Sequence, residues 1–147
     1  MRADCVVDAS VGVKLFVNEE GSELADRLFA RLTAQPAPQF YVPDLFYVEC
    51  ANILWKYVRR FGYSPANARQ DVADLGALAL VTISTADLLE PALNLALTHD
   101  ITAYNASYVA LAQQLNLPLI TADALLAHKL AGSGIIIKTL AELKDSV

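Results

Sequence analysis

The sequence predicts an α/β fold of three layers, α/β/α, with a mostly parallel central sheet of about five strands. Three observations predict it. Short apolar runs alternate along the chain with stretches of helical spacing, the pattern of βαβ units. The apolar runs are continuous and lack period-two alternation, as expected of strands covered on both faces. The 147 residues are 55% hydrophobic and only 18% charged, rich in core and lean on surface charge. That length fits one compact domain over residues 1–147.

Residues 4–8 read as a buried strand, and 10–17 as a short helix capped by Ser10. After the break Asn18-Glu19-Glu20-Gly21, the residues Leu24, Ala25, Leu28, Phe29 and Leu32 fall at helical spacing within 22–33. The Pro-rich stretch 34–38 is a connection to a second strand over 39–42. Asp44 is the expected cap of a long helix running to about Arg60 and stopped by Gly62. Ser64-Pro65 combines an N-cap with Pro at the first helical position, opening a helix to about Ala79. A third strand follows at 81–84, then a helix over 87–98 whose start Pro91 can shift, and another over 102–115. Residues 117–121 make a fourth strand, 123–130 a helix, 135–138 a fifth strand, and a short helix closes the chain.

No apolar run reaches the roughly 18 residues needed to span a bilayer. The N-terminus has no signal-peptide pattern, so a cytoplasmic location is expected. Two cysteines, Cys5 and Cys50, make neither a disulfide framework nor a zinc motif and read as reduced core thiols. A net charge of −5 argues against a broad basic surface for passive nucleic-acid binding. It leaves open a nuclease whose metal supplies local positive charge, and it suits a basic protein partner.

Carboxylates sit where such a fold would gather them. Asp8 closes Cys5-Val6-Val7, and Asp123 follows Leu119-Ile120-Thr121-Ala122; ligands of parallel sheets bind at the carboxyl ends of strands. Glu49 lies on the long helix on a stripe with Leu45, Asn52 and Ile53. Acids converging in apolar surroundings repel one another and lose hydration, and a hard divalent cation is the usual compensation. Two cations held by Asp8, Glu49 and Asp123, with Asp8 bridging, would suit phosphodiester hydrolysis. Ser10 and Thr121, each two residues from a carboxylate, are candidates to orient it. Plainer roles stand beside these. Asp8 and Asp123 can serve as helix caps, and Glu49 as a surface partner of Lys56 or Arg60.

The order of these segments resembles a PIN-domain ribonuclease of the VapC toxin type. The resemblance rests on Val6-Val7-Asp8-Ala9-Ser10, on Pro43-Asp44-Leu45 with Val48-Glu49-Cys50-Ala51-Asn52, on the stretch Ala103 to Ala112, and on Pro118-Leu119-Ile120-Thr121-Ala122-Asp123. It implies Mg²⁺- or Mn²⁺-dependent cleavage of RNA, a homodimer, and inhibition by a small antitoxin encoded beside the toxin. It also implies metal-site roles for Asp8, Glu49 and Asp123.

Asn105 departs from the pattern, since the family has Asp there, in Ala-Tyr-Asp-Ala. Asn keeps the shape but is a neutral amide with one carbonyl acceptor, so the metal site loses a unit of negative charge. Three outcomes are open: an active enzyme with weaker metal binding, an inactive relative that still dimerises and binds a partner, or a deliberately inactivated chain. A phospho-acceptor domain is disfavoured, because no lysine ends a late strand beside Asp123.

Lys14, Arg59 and Arg60 are candidates to contact RNA, with solvated or helix-terminal cations as the plainer reading. His99 and His128 have no partner motif. Tyr104, Tyr108, Leu111 and Leu115 form an expected packing stripe. The aromatics Phe40, Tyr41, Phe46, Tyr47, Trp55 and Tyr57 exceed what a core needs and suggest an interface groove.

Overall fold

The computed structural model describes residues 3–145. Five strands form one sheet in the order β3-β2-β1-β4-β5: β1 (Cys5–Val7), β2 (Phe40–Pro43), β3 (Leu80–Ile83), β4 (Leu119–Thr121) and β5 (Ile137–Thr139). Every pairing is parallel. Central β1 pairs Val6 with both Tyr41 and Leu119, and all three of its residues are buried, so both its faces are covered.

The helices are α1 (Ala9–Gly12), α2 (Ser22–Ala30), α3 (Leu45–Phe61), α4 (Pro65–Gly76), α5 (Leu89–His99), α6 (Ala103–Leu115) and α7 (Ala124–Lys129), with short 3₁₀ turns between several of them. The chain steps outward from β1 through β2 to β3, then returns across the sheet to β4. Parallel crossovers are right-handed, so this reversal puts α2–α4 on one face and α5–α7 on the other. It also opens a crevice at the carboxyl ends of β1 and β4, where strand order reverses.

The core is one main cluster built on Val6, Val7, Phe40, Phe46, Tyr108 and Leu119. Gly12 lets α1 lie directly on α3, because a Cβ there would sit 2.6 Å from Phe46 Cζ. Cys5 and Cys50 are buried free thiols, and burial pushes the Cys5 thiol up to about 12.

Several local expectations change. Asp8, rather than Ser10, caps the first helix by accepting from Val11 N–H, and that helix tightens into a 3₁₀ turn over Val13–Leu15. Asp44 makes no side-chain cap on α3. Its carboxylate instead accepts from the Thr85 N–H at 2.9 Å, while the Thr85 hydroxyl accepts from the Leu45 N–H at 3.0 Å. A side chain distant in sequence thus does the capping, which local pattern cannot reveal. Pro91 sits in the first turn of α5, where its missing N–H has no intrahelical acceptor to lose. The stripe on α6 is broken, since Tyr108 and Leu111 are buried but Tyr104 is 66% exposed. No helix among the described residues is long and apolar enough to cross a membrane.

Candidate active site

Asp8 stands at the mouth of the crevice, only 5% exposed. Its backbone N–H donates to Ile120 C=O, tying it to β4. The Ser10 hydroxyl donates to Asp8 Oδ1 at 2.5 Å, and the Val11 N–H reaches the same oxygen at 3.3 Å. Ser10 Oγ in turn accepts from the Ala122 N–H at 2.9 Å and lies 3.4 Å from Thr121 Oγ1. Thr121 Oγ1 accepts from the Asp123 N–H at 3.0 Å. Ser10 and Thr121 thus link the ends of β1 and β4 beside the two aspartates.

Burial raises the Asp8 carboxyl from 3.8 to about 6, against the pull of bonds from Ser10, Thr121 and Val11; the nearby charge of Glu49 pushes the same way as burial. Glu49 arrives from the second turn of α3. It is half-buried, and the loss of hydration raises its carboxyl as well. Its partner is neither Lys56 nor Arg60 but Tyr108, whose hydroxyl donates to Glu49 Oε1 at 2.6 Å. Tyr108 is buried, and desolvation with the neighbouring Glu49 charge holds its hydroxyl protonated. The sequence reading assigned Tyr108 to packing alone. The available signal was its position three residues after Asn105, hence on the same face of α6.

Asn105 and Asp123 form the second half of the site. They line a small cavity of about 160 Å³ with Asp100, Thr102 and Lys129. Asp123 also caps α7, its Oδ1 accepting from the Leu126 N–H at 3.1 Å. Asp8 and Asp123 are therefore both helix caps, and a cap engages only one carboxylate oxygen, so capping is compatible with a role in a site. Lys129 donates to Asp100 C=O at 2.6 Å on the rim of this cavity. α6 links the halves, presenting Tyr108 to Glu49 and Asn105 to the cavity of Asp123.

The expected convergence of three acids on one point is not seen. Among the described residues, no three His, Cys, Asp or Glu side chains are grouped to hold one metal ion. The acids fall instead into the pair Asp8 with Glu49, and Asp123 beside the amide of Asn105. This donor set still fits Mg²⁺ or Mn²⁺. It is all oxygen, and none of the ion pairs among the described residues engages Asp8, Glu49 or Asp123. Mg²⁺ in phosphate chemistry is commonly held by one or two carboxylates with waters and substrate phosphates, rather than by a full protein cage.

The three candidate RNA contacts lie outside this cluster. Lys14 is paired with Glu19 at 2.9 Å and donates to Glu20 C=O at 2.7 Å, so it anchors the turn before α2. Arg59 and Arg60 are exposed at the end of α3, about 15 Å along the helix from Glu49 at 1.5 Å per residue. The Arg59 guanidinium sits 5.7 Å from the centre of the Trp55 ring.

The PIN domain family matches residues 5–129. Ribonuclease VapC3 of Pyrobaculum aerophilum is 40% identical over 126 residues, which cover 84% of this chain and 92% of that protein. Among solved structures, PAE2754 from Pyrobaculum aerophilum superposes with a TM-score of 0.70 at 24% identity, covering 97% of this chain and 95% of that one. A toxin–antitoxin complex from Klebsiella pneumoniae gives 0.62 at 19% identity, covering 91% and 96%. With the family spanning Asp8, Glu49, Asn105 and Asp123, and a relative at 40% identity across most of both chains, this chain belongs to the PIN-domain family, as a protein of the VapC type.

Proposed function

We propose that the chain is a divalent-metal-dependent endoribonuclease that acts in the cytoplasm as the toxin of a type II toxin–antitoxin pair. The observation that carries the proposal is Asp8, a buried carboxylate at the strand-order crevice with Glu49 close by and, among the described residues, no cationic side chain paired with either. The relative VapC3 is named a ribonuclease, which supports the substrate class.

In this reading Asp8 and Glu49 would hold one Mg²⁺ or Mn²⁺, and Asn105 and Asp123 would help to hold a second. Such ions supply Lewis acidity, lower the pKa of water and offset charge on the leaving oxygen. Ser10 fixes the Asp8 carboxylate by donating to Oδ1, with Thr121 beside it. Tyr108 orients Glu49 by donating one hydrogen bond. Lys129, on the rim of the Asn105–Asp123 cavity, would meet an RNA phosphate, with Lys14 close by on the other side of Asp123 and Arg59 and Arg60 engaging the strand further out.

The proposed partners are RNA, a second copy of the chain and a small antitoxin. A groove of about 390 Å³ between α3 and α4, lined by Leu54, Trp55, Val58, Ala68 and Val72, fits an apolar helix from the antitoxin. Leu89, Leu93 and Leu97 are exposed at i, i+4 and i+8 on α5, a stripe suited to dimerisation. One observation favours a second reading, a catalytically silent module that dimerises and binds its partner: Asn105 stands where an acid is expected.

The test is RNA cleavage with Mg²⁺ or Mn²⁺ by the chain and by Asn105→Asp, with Asp8→Asn and a chelator as blanks. Restoring an acid is expected to raise cleavage by about 10- to 100-fold, the effect of a single well-placed partner at a metal site. Cleavage by Asn105→Asp alone would favour the silent module for the chain as it stands. No cleavage of any RNA by either protein would overturn the nuclease reading.

A further inference from the structure

A second cavity opens on the other side of Asp123. It measures about 350 Å³, within the size range of small-ligand pockets. Ala122 and Ala124, the two neighbours of Asp123, form one wall; Leu24, Leu140 and Ala141 form the others. Lys14, Glu20 and Thr139 bring the polar groups. The cavity thus begins one residue from a proposed metal ligand, at the carboxyl ends of β4 and β5. Consecutive residues are about 3.8 Å apart, so one nucleotide can span both sites.

Two of these polar groups, Lys14 and Thr139, are donors with one hydrogen to spare. The Lys14 ammonium has three N–H groups, and two are used on Glu19 Oε1 and Glu20 C=O. Thr139 Oγ1 accepts from the Glu142 N–H at 3.3 Å, which leaves its own O–H to donate. The mostly apolar walls disfavour a phosphate. A flat, mainly apolar group with carbonyl acceptors at its edge suits them.

We propose that this cavity seats a nucleobase next to the scissile phosphate and selects bases with a carbonyl at pyrimidine C4 or purine C6, uracil or guanine, over cytosine and adenine, which carry an amino group there. It rests on the reading of the chain as a ribonuclease. Uracil O4 and guanine O6 accept from Lys14 and Thr139, where adenine and cytosine present an amino group whose hydrogens would face those donors. Leu24 and Leu140 take the faces of the base, as apolar side chains do in pockets for unstacked bases.

The test is methyl NMR of the full chain with UMP, GMP, AMP and CMP as probes. UMP and GMP are expected to shift the Leu24, Leu140 and Ala141 methyls, with binding about tenfold tighter than AMP and CMP, the worth of one hydrogen bond to a charged group. Lys14→Met is expected to erase that difference. Ala141→Phe, at an exposed position that leaves the Lys14–Glu19 pair intact, is expected to block all four. Equal binding of the four nucleotides, or shifts that avoid these methyls, would overturn the proposal. A parallel map of cut sites in a randomised RNA by Asn105→Asp should show uracil or guanine at one position beside the cut, and Ala141→Phe should lose that preference. Base binding without any cleavage would support the pocket while the nuclease reading fails. Cleavage without base preference, and without methyl shifts, would remove the pocket and leave the nuclease.

Discussion

Asp8 accepts from the Ser10 hydroxyl and the Val11 N–H, yet burial still raises its carboxyl to about 6. In the unfolded chain the same group titrates near 3.8. Between those values the folded protein binds more protons than the unfolded one, so this stability is complete below 3.8 and is lost as pH rises through 6. The shift corresponds to about 3 kcal/mol at ~1.4 kcal/mol per unit. Glu49, also raised, acts with the same sign. With divalent cations chelated, Asp8→Asn should therefore gain about 2–3 kcal/mol on wild type between about pH 4 and about pH 7.5. Urea unfolding at both pH values measures this, and a gap that stays constant would show that Asp8 is not strained by ionisation. Adding Mg²⁺ at the higher pH should stabilise wild type and not Asp8→Asn, because a ligand stabilises only the state that binds it.

At the scale of elements, the Asp8–Glu49 pairing depends on how closely α1 meets α3. Gly12 makes that contact possible, since a methyl there would lie 2.6 Å and 2.8 Å from two carbons of the Phe46 ring. Gly12→Ala should cost about 1–3 kcal/mol through overpacking. The double variant Gly12→Ala with Phe46→Leu should lose less than the sum of the two single changes, because the smaller side chain yields the space. Equilibrium unfolding of the four proteins decides it, and strict additivity would mean that the two helices do not press on each other there. The element boundaries show which signals are local. Ser64-Pro65 opens α4 through the Ser64 cap and the fixed φ of Pro65, and Gly62, which has no Cβ, closes α3 in the left-handed region. α3 starts where expected, directly after Asp44, but its side-chain cap comes from Thr85, 40 residues away from Leu45.

At the scale of the whole molecule, two apolar surfaces are left over once the core is built. Trp55 is 56% exposed at the groove between α3 and α4, and Leu97 is 75% exposed on α5. We predict that they serve different partners. Leu93→Glu with Leu97→Glu should turn a dimer into a monomer without loss of antitoxin binding, and Trp55→Glu should do the reverse. Sedimentation and co-purification with the antitoxin read both outcomes, and a single variant that abolishes both would show one shared interface. The groove runs over residues 51–72, partly beyond the aromatics Phe40 to Tyr57 that suggested an interface, because α4 supplies its second wall.

The sequence by itself determined the α/β class, the five strands with their parallel character, and the identity of the acids at the strand ends. Those properties follow from periodicity, continuous apolar runs and strand-end position, all readable within a few residues. Only the tertiary structure decided how the acids associate. It set Asp8 with Glu49 and Asp123 with Asn105 instead of joining three acids in one cluster. It turned Tyr108 from a packing residue into the hydrogen-bond donor of Glu49, and it tied Lys14 into the wall of a second cavity. These are contacts between residues 5 to more than 100 positions apart, fixed by strand order and by the approach of α1, α3 and α6. Hydropathy pattern carries no record of which side chains will meet across that distance.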